Sequence, residues 1–257
     1  MTFKEWLLSS YPNPHIDSQW GILHIAVLIM SICAIISIAL LFRSKSEKVR
    51  KIVIYVLTCT VLFFEMTRRI LNIIKNPGMN LGDMLYTLLP RPWCAISCWA
   101  LMIAVWSGKQ YMYNTASFTA LLCAIIYFAY PGAGFNSEYM LFENVYSIAT
   151  HALLLVTSIT FITLKFTKFE YKTMWKDLIV LAVIFLYAFY EIWILGISDD
   201  PLYFMPNNDV QNIIGLDYVP FLIIYIVFMA VYVNLFYLIN DRENVYARFH
   251  HKKHIKA

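Results

Sequence analysis

Charge is what this sequence has least of. Asp, Glu, Lys and Arg make up 14% of its 257 residues and apolar types 60%, where a soluble domain carries about 25% charged and roughly 45–50% apolar residues. A soluble fold could not hide that much apolar surface, so the bilayer is the expected solvent. No internal repeat, low-complexity tract or linker sets off a soluble domain. A cleavable signal peptide is not expected either: the first apolar run is long, starts near Trp20 and lacks a small-residue cleavage site after a short core. The five cysteines (Cys33, Cys59, Cys94, Cys98, Cys123) all fall in or at the edge of apolar runs, which argues against a disulfide framework. The net charge of +4 is small. Its placement bears on topology rather than on nucleic acid, which is not expected as a partner.

Apolar runs recur along the whole chain, most of them long enough to cross a hydrocarbon core of ~30 Å at 1.5 Å per residue. Their lengths and bounding charges predict spans over residues 20–42, 52–74, 92–106, 116–130, 141–164, 178–195 and 218–239. The third and fourth are short, as expected of tilted, broken or re-entrant segments. The expected fold is an all-α membrane protein, a single polytopic domain of about seven helices covering 1–257. With seven spans, Arg43, Lys45, Lys48, Arg50, Lys51, Lys109, Lys165, Lys168, Lys172, Lys176 and the five basic residues from Arg242 to Lys256 share one side. The opposite side holds only Lys4, Lys75 and Arg91, with Asp17, Asp83, Glu138, Asp199, Asp200, Asp209 and Asp217. The positive-inside rule then places the N-terminus outside and the C-terminus in the cytoplasm, and the expected location is the cell membrane. Membrane lipids are its expected partners. The basic tail from His250 to Lys256 reads as an electrostatic contact with anionic lipid, worth ~1 kcal/mol per basic residue. The exterior connection from Gly196 to Asp217 reads either as a lid over an outward-facing cavity or as a solvated loop.

A charged side chain mid-span costs about 2.5–3.5 kcal/mol on insertion scales, so each needs a partner or a task. The candidates are His24, Glu65, Arg68, Arg69, Glu143, His151 and Glu191. Glu65 precedes Arg68 and Arg69 by three and four residues, the spacing of one helical face. An internal ion pair and an arginine fork aimed at a phosphate both fit that spacing. The candidate substrate-binding set is Arg68, Arg69, His24, Glu143 and Glu191. Cys94 follows Pro90, Arg91 and Pro92, a sequence that starts a helix. A helix N-terminus and a nearby arginine both favour thiolate, the nucleophilic form. His151 is the candidate base and Glu65 its candidate support, completing a catalytic set of Cys94, His151 and Glu65. Inert packing of either Cys94 or His151 is the competing reading.

Four short segments carry a resemblance: Trp20-Gly21-Ile22-Leu23-His24, Glu65, Leu89-Pro90 with Cys94-Ala95-Ile96-Ser97, and His151. In this order and spacing they resemble the YwaF-type integral membrane proteins, the family that includes the animal transmembrane protein 164. For the animal member the resemblance implies an acyltransferase that moves a fatty acyl chain between phospholipids through a cysteine supported by a histidine. Cys94 matches that cysteine and His151 that histidine. The chain departs from the family at Pro92, where His or Gln is usual, at Asp199 and Asp200 in an Asn-rich stretch, and at Val219-Pro220-Phe221.

Two functions follow as expectations: thiol-dependent acyl transfer or hydrolysis on lipid, or non-enzymatic capture or transport of a small polar or lipid ligand. Neither calls for a cofactor. The predicted spans hold only His24 and His151 as histidines, so a zinc hydrolase would need glutamates to complete three ligands, and no metal is expected. Residues 218–239 contain no lysine, which removes a retinal Schiff base.

Overall fold

Long apolar stretches with few helix breakers make every regular element among the described residues a helix. The computed structural model describes residues 3–8, 20–91, 93–129, 135, 142–196 and 202–241. The elements are α1 (Phe3–Leu8), α2 (Ile22–Phe42), α3 (Glu47–Lys75), α4 (Leu81–Leu88), α5 (Trp93–Ser107), α6 (Gln110–Ala129) and α7 (Phe142–Thr163). After these come α8 (Met174–Phe189), continued by a π-helical turn over Tyr190–Ile194, then α9 (Asp209–Ile214) and α10 (Tyr218–Asn240). The chain divides into two compact units, Met1–Phe166 and Thr167–Ala257.

Five helices are long and apolar enough to cross a membrane: α2, α6, α7, α8 with its π turn, and α10. A sixth span results if α4 and α5, bent by 69°, are one broken crossing. Helix α3, 29 residues long, reaches about 43 Å at 1.5 Å per residue. It stands outside this set because Glu65, Arg68 and Arg69 interrupt its apolar run. The result is a multi-pass helical membrane protein.

In the first unit, α5, α6 and α7 pack in succession, α3 lies against α5 and α7, and α2 lies against α7. Gly108, at φ +60°, ends α5 and lets a two-residue turn return the chain into α6. The buried side of α6 is built from small residues, among them Ala116, Ser117, Thr119, Ala120 and Ala124. Small side chains let helix backbones approach closely in a membrane. The Ser117 hydroxyl accordingly donates to the Ser158 carbonyl of α7 at 2.8 Å, and the Trp93 indole of α5 donates to the Thr119 carbonyl at 3.2 Å. Helix α6 starts well before the expected residue 116. Asn114 and Thr115 are buried against protein rather than lipid, so hydropathy underestimates the helix. By contrast, α2 exposes most of its apolar side chains, as a lipid-facing helix should.

The second unit has its own packing. Asn208 caps α9 by accepting from the Gln211 amide at 2.8 Å, and Gly215 closes it at φ +71°. Just before that helix, Leu202 and Phe204 are buried. Phe204 sits 4.9 Å from the Phe189 ring, and the Tyr225 hydroxyl donates to the Leu202 carbonyl at 3.0 Å. The described part of the 196–217 connection is therefore packed structure rather than a solvated loop. Asp199 and Asp200 lie outside the described residues, as do Asp17, Glu138 and the basic tail.

Candidate active site

Cys94 is the second residue of α5, where the N–H groups of the first turn lack intrahelical acceptors and the helix dipole is positive. Pro92, the departure from the family, lies outside the described residues. The Cys94 sulfur, the Cys123 sulfur of α6 and a ring nitrogen of His151 on α7 all lie within 4.8 Å of one another. Consecutive packing of α5, α6 and α7 brings together three residues that are far apart in sequence. All three are partly exposed.

The backbone fixes the orientation of His151. Its Nδ1 is 2.7 Å from the carbonyl of Ser147, one turn earlier on α7. A carbonyl only accepts, so Nδ1 carries the proton and the lone pair is on Nε2. The imidazole also lies flat on Tyr127, with ring centroids 3.6 Å apart and planes 4° apart. Glu65, expected to support this histidine, has other partners. It accepts from Arg68 Nε and Nη2 at 3.2 and 2.9 Å and from Arg69 Nε at 2.5 Å.

Those two arginines hold the segment that leads into α5. Arg69 donates to the carbonyls of Thr87, Leu89 and Arg91 as well as to Glu65, and is buried. It is a clamp whose fork is fully engaged within the protein. Arg68 also donates to the Arg91 carbonyl, at 3.0 Å, but its side chain remains 29% exposed. Its charge lies within electrostatic range of the Cys94 thiol.

The other expected ligand-binding residues each have contacts of their own. His24 is fully buried within reach of the Trp20, Phe128 and Phe135 rings. Phe135 also packs 5.9 Å from Tyr127, so aromatic contacts link His24 to the histidine of the site. Glu143 pairs with Lys75 at 3.3 Å, joining the end of α3 to the start of α7. Glu191 belongs to the second unit, where the Tyr187 hydroxyl donates to its carboxylate at 2.9 Å. Cys123 and Tyr127 are the site residues that sequence reasoning missed. Cys123 has no flanking motif, and Tyr127 reads as one of many tyrosines in an apolar run.

Fold and site together define a class: a multi-pass helical membrane protein with a cysteine and a histidine facing each other among its helices. The model of the TMEM164 family matches residues 18–240, and the chain belongs to that family. No curated protein and no solved structure matches it.

Proposed function

We propose that this protein is a membrane lipid acyltransferase in which Cys94 is the nucleophile and His151 the proton carrier. The observation that carries the reading is the approach of the Cys94 sulfur to His151, within 4.8 Å, with Nε2 left as the basic nitrogen by the Ser147 carbonyl. Catalytic contacts are often longer without substrate than with it.

In this reading the Cys94 thiol passes its proton to His151 Nε2 as sulfur attacks the carbonyl of a phospholipid acyl ester. The acyl carbon–oxygen bond breaks, and the imidazolium protonates the departing lysophospholipid oxygen. The hydroxyl of a second lysophospholipid then attacks the thioester, its proton moving through Nε2 to the released Cys94 sulfur. A site poor in water favours this acceptor over hydrolysis. Arg68, partly exposed and within electrostatic range of Cys94, takes the lipid phosphate, since a guanidinium fork suits phosphate geometry. Glu65 and Arg69 hold the entry of α5 in place.

The same proposal includes a single polytopic domain of seven spans, with α3 as one crossing and α4–α5 as another. Its N-terminus is outside, its C-terminus is cytoplasmic, and the chain sits in the cell membrane. The charge asymmetry of the connections supports that orientation.

The test is acyl exchange by purified protein in liposomes containing labelled phospholipid and a lysophospholipid acceptor, with trapping of a hydroxylamine-sensitive acyl-enzyme. Turnover and trapping should both vanish in Cys94→Ala. Equal, negligible turnover in both proteins, with each folded and several donors tried, would leave ligand capture or transport as the working function.

A further inference from the structure

We infer that Cys94, Cys123 and His151 form a binding site for one soft divalent cation, Zn2+ being the best match. The donor set and its frame define this site independently of acyl transfer. Two sulfurs and one imidazole nitrogen, all within 4.8 Å of one another, are the ligand types zinc takes in sites that keep an open fourth position. At Zn–S of about 2.3 Å and Zn–N of about 2.0–2.1 Å, tetrahedral ligands of these types stand roughly 3.5–3.8 Å apart. Side-chain rotation of about 1 Å closes the trio onto an ion.

Three further features fit this site. His151 already donates Nδ1–H to the Ser147 carbonyl, the outer-shell contact that fixes the tautomer and aims Nε2 in metal-ligating histidines. The stack on Tyr127 holds the ring plane. Charge also balances: two thiolates and a neutral imidazole around Zn2+ make a neutral centre, so a partly buried site within a membrane helix bundle bears little desolvation cost. Binding expels a thiol proton from each cysteine. Cys98, one turn beyond Cys94 on α5 and fully buried, is not a member of the trio. The frame is preformed, because α6, which carries Cys123, packs extensively against both α5 and α7.

A bound ion and an acyl group exclude each other, since both take the Cys94 sulfur. Zinc in this position leaves one coordination site for water or a lipid oxygen.

The experiment uses the full chain purified in detergent with a non-thiol reductant, loaded with Co2+ as a spectroscopic stand-in and separately with Zn2+. The expected result is one ion per chain, a thiolate-to-cobalt charge-transfer band with tetrahedral d–d bands, and protection of Cys94 from alkylation by Zn2+. Cys123→Ser should weaken binding by about 100-fold or more, because loss of even an outer-shell partner costs 10–100-fold. Cys98→Ser should keep both stoichiometry and spectrum. Thermal unfolding of each variant shows whether a lost signal reflects a lost fold, and His151→Gln supplies a second ligand deletion. Absence of the charge-transfer band from the folded native chain would overturn the inference, as would a band indifferent to Cys123→Ser. Both readouts report metal rather than turnover, so failure of metal binding and failure of acyl transfer are separate results.

Discussion

The imidazole of His151 lies on the phenol ring of Tyr127 with centroids 3.6 Å apart, and the two planes differ by 4°. Tyr127 is buried, and its hydroxyl reaches the Ser147 side chain at 3.4 Å. The Ser147 carbonyl in turn holds Nδ1 of the same histidine. One turn of α7 and one tyrosine of α6 therefore set both the tautomer and the plane of the proposed base.

Removing the stack should loosen the base without removing it. Aromatic pairs contribute about 0.5–1.5 kcal/mol beyond area burial, which corresponds to roughly 2- to 10-fold in rate. Tyr127→Leu should lower acyl-exchange turnover by about that factor, and Tyr127→Phe, which keeps the ring, should stay near native. Single-turnover thioester formation in liposomes measures it. Equal rates for the Leu and Phe variants would assign the stack to packing alone.

The ion cluster on α3 makes a prediction about stability. Arg69 is buried, and among the described residues its anionic hydrogen-bond partner is Glu65. Breaking a buried pair by removing one member typically costs about 3–5 kcal/mol, because the remaining charge is left uncompensated. Glu65→Gln should therefore lower stability by that order in detergent unfolding. Arg68→Gln, with its side chain 29% exposed, should cost much less stability yet impair exchange of anionic phospholipid. Joint replacement of Glu65 and Arg69 by Gln and Met should recover part of the loss, since the buried Arg69 charge is removed with its partner, while Arg68, which also loses Glu65, keeps some exposure.

What the sequence made legible follows the range of the forces involved. Helices such as α2 and α10 follow from apolar length alone. The pairing of Glu65 with Arg68 and Arg69 follows from helical spacing. Cys94 and His151 stood out because a thiol at a helix start and an imidazole in an apolar run are unusual chemically. Their approach was not readable, because it depends on how α5, α6 and α7 pack. The same packing recruits Cys123, an unmarked residue, and replaces Glu65 by a backbone carbonyl as the partner of His151. The start of α6 was misread because buried Asn114 and Thr115 look like loop residues when every residue is assumed to face lipid.

The α5–α6 turn gives a backbone test. Gly108 has φ +60° and open space where a Cβ would stand, whereas Gly78 has similar space and no such backbone requirement. The left-handed region costs an L-residue about 1–2 kcal/mol. Gly108→Ala should therefore destabilise the protein by roughly that amount, Gly108→Asn by less, and Gly78→Ala by little. Unfolding by SDS titration in mixed micelles compares the three. A neutral Gly108→Ala would mean that the turn relaxes out of the left-handed region.

The topology can be tested at the two ends of α3. The α2–α3 turn holds Arg43 and Lys45, with Lys48, Arg50 and Lys51 in the first turns of α3. The α3–α4 turn at residues 76–80 carries no charge. Basic residues beside a span are retained on the cytoplasmic side, so Ser44 should face the cytoplasm and Gly78 the exterior. Both positions are exposed. In intact cells a membrane-impermeant maleimide should label Gly78→Cys and leave Ser44→Cys unlabelled until the cells are opened. The reverse pattern would invert the whole orientation. Labelling of both from outside would mean that α3 does not cross. Its ion cluster would then no longer be an intramembrane one, and the seven-span arrangement would fall with it.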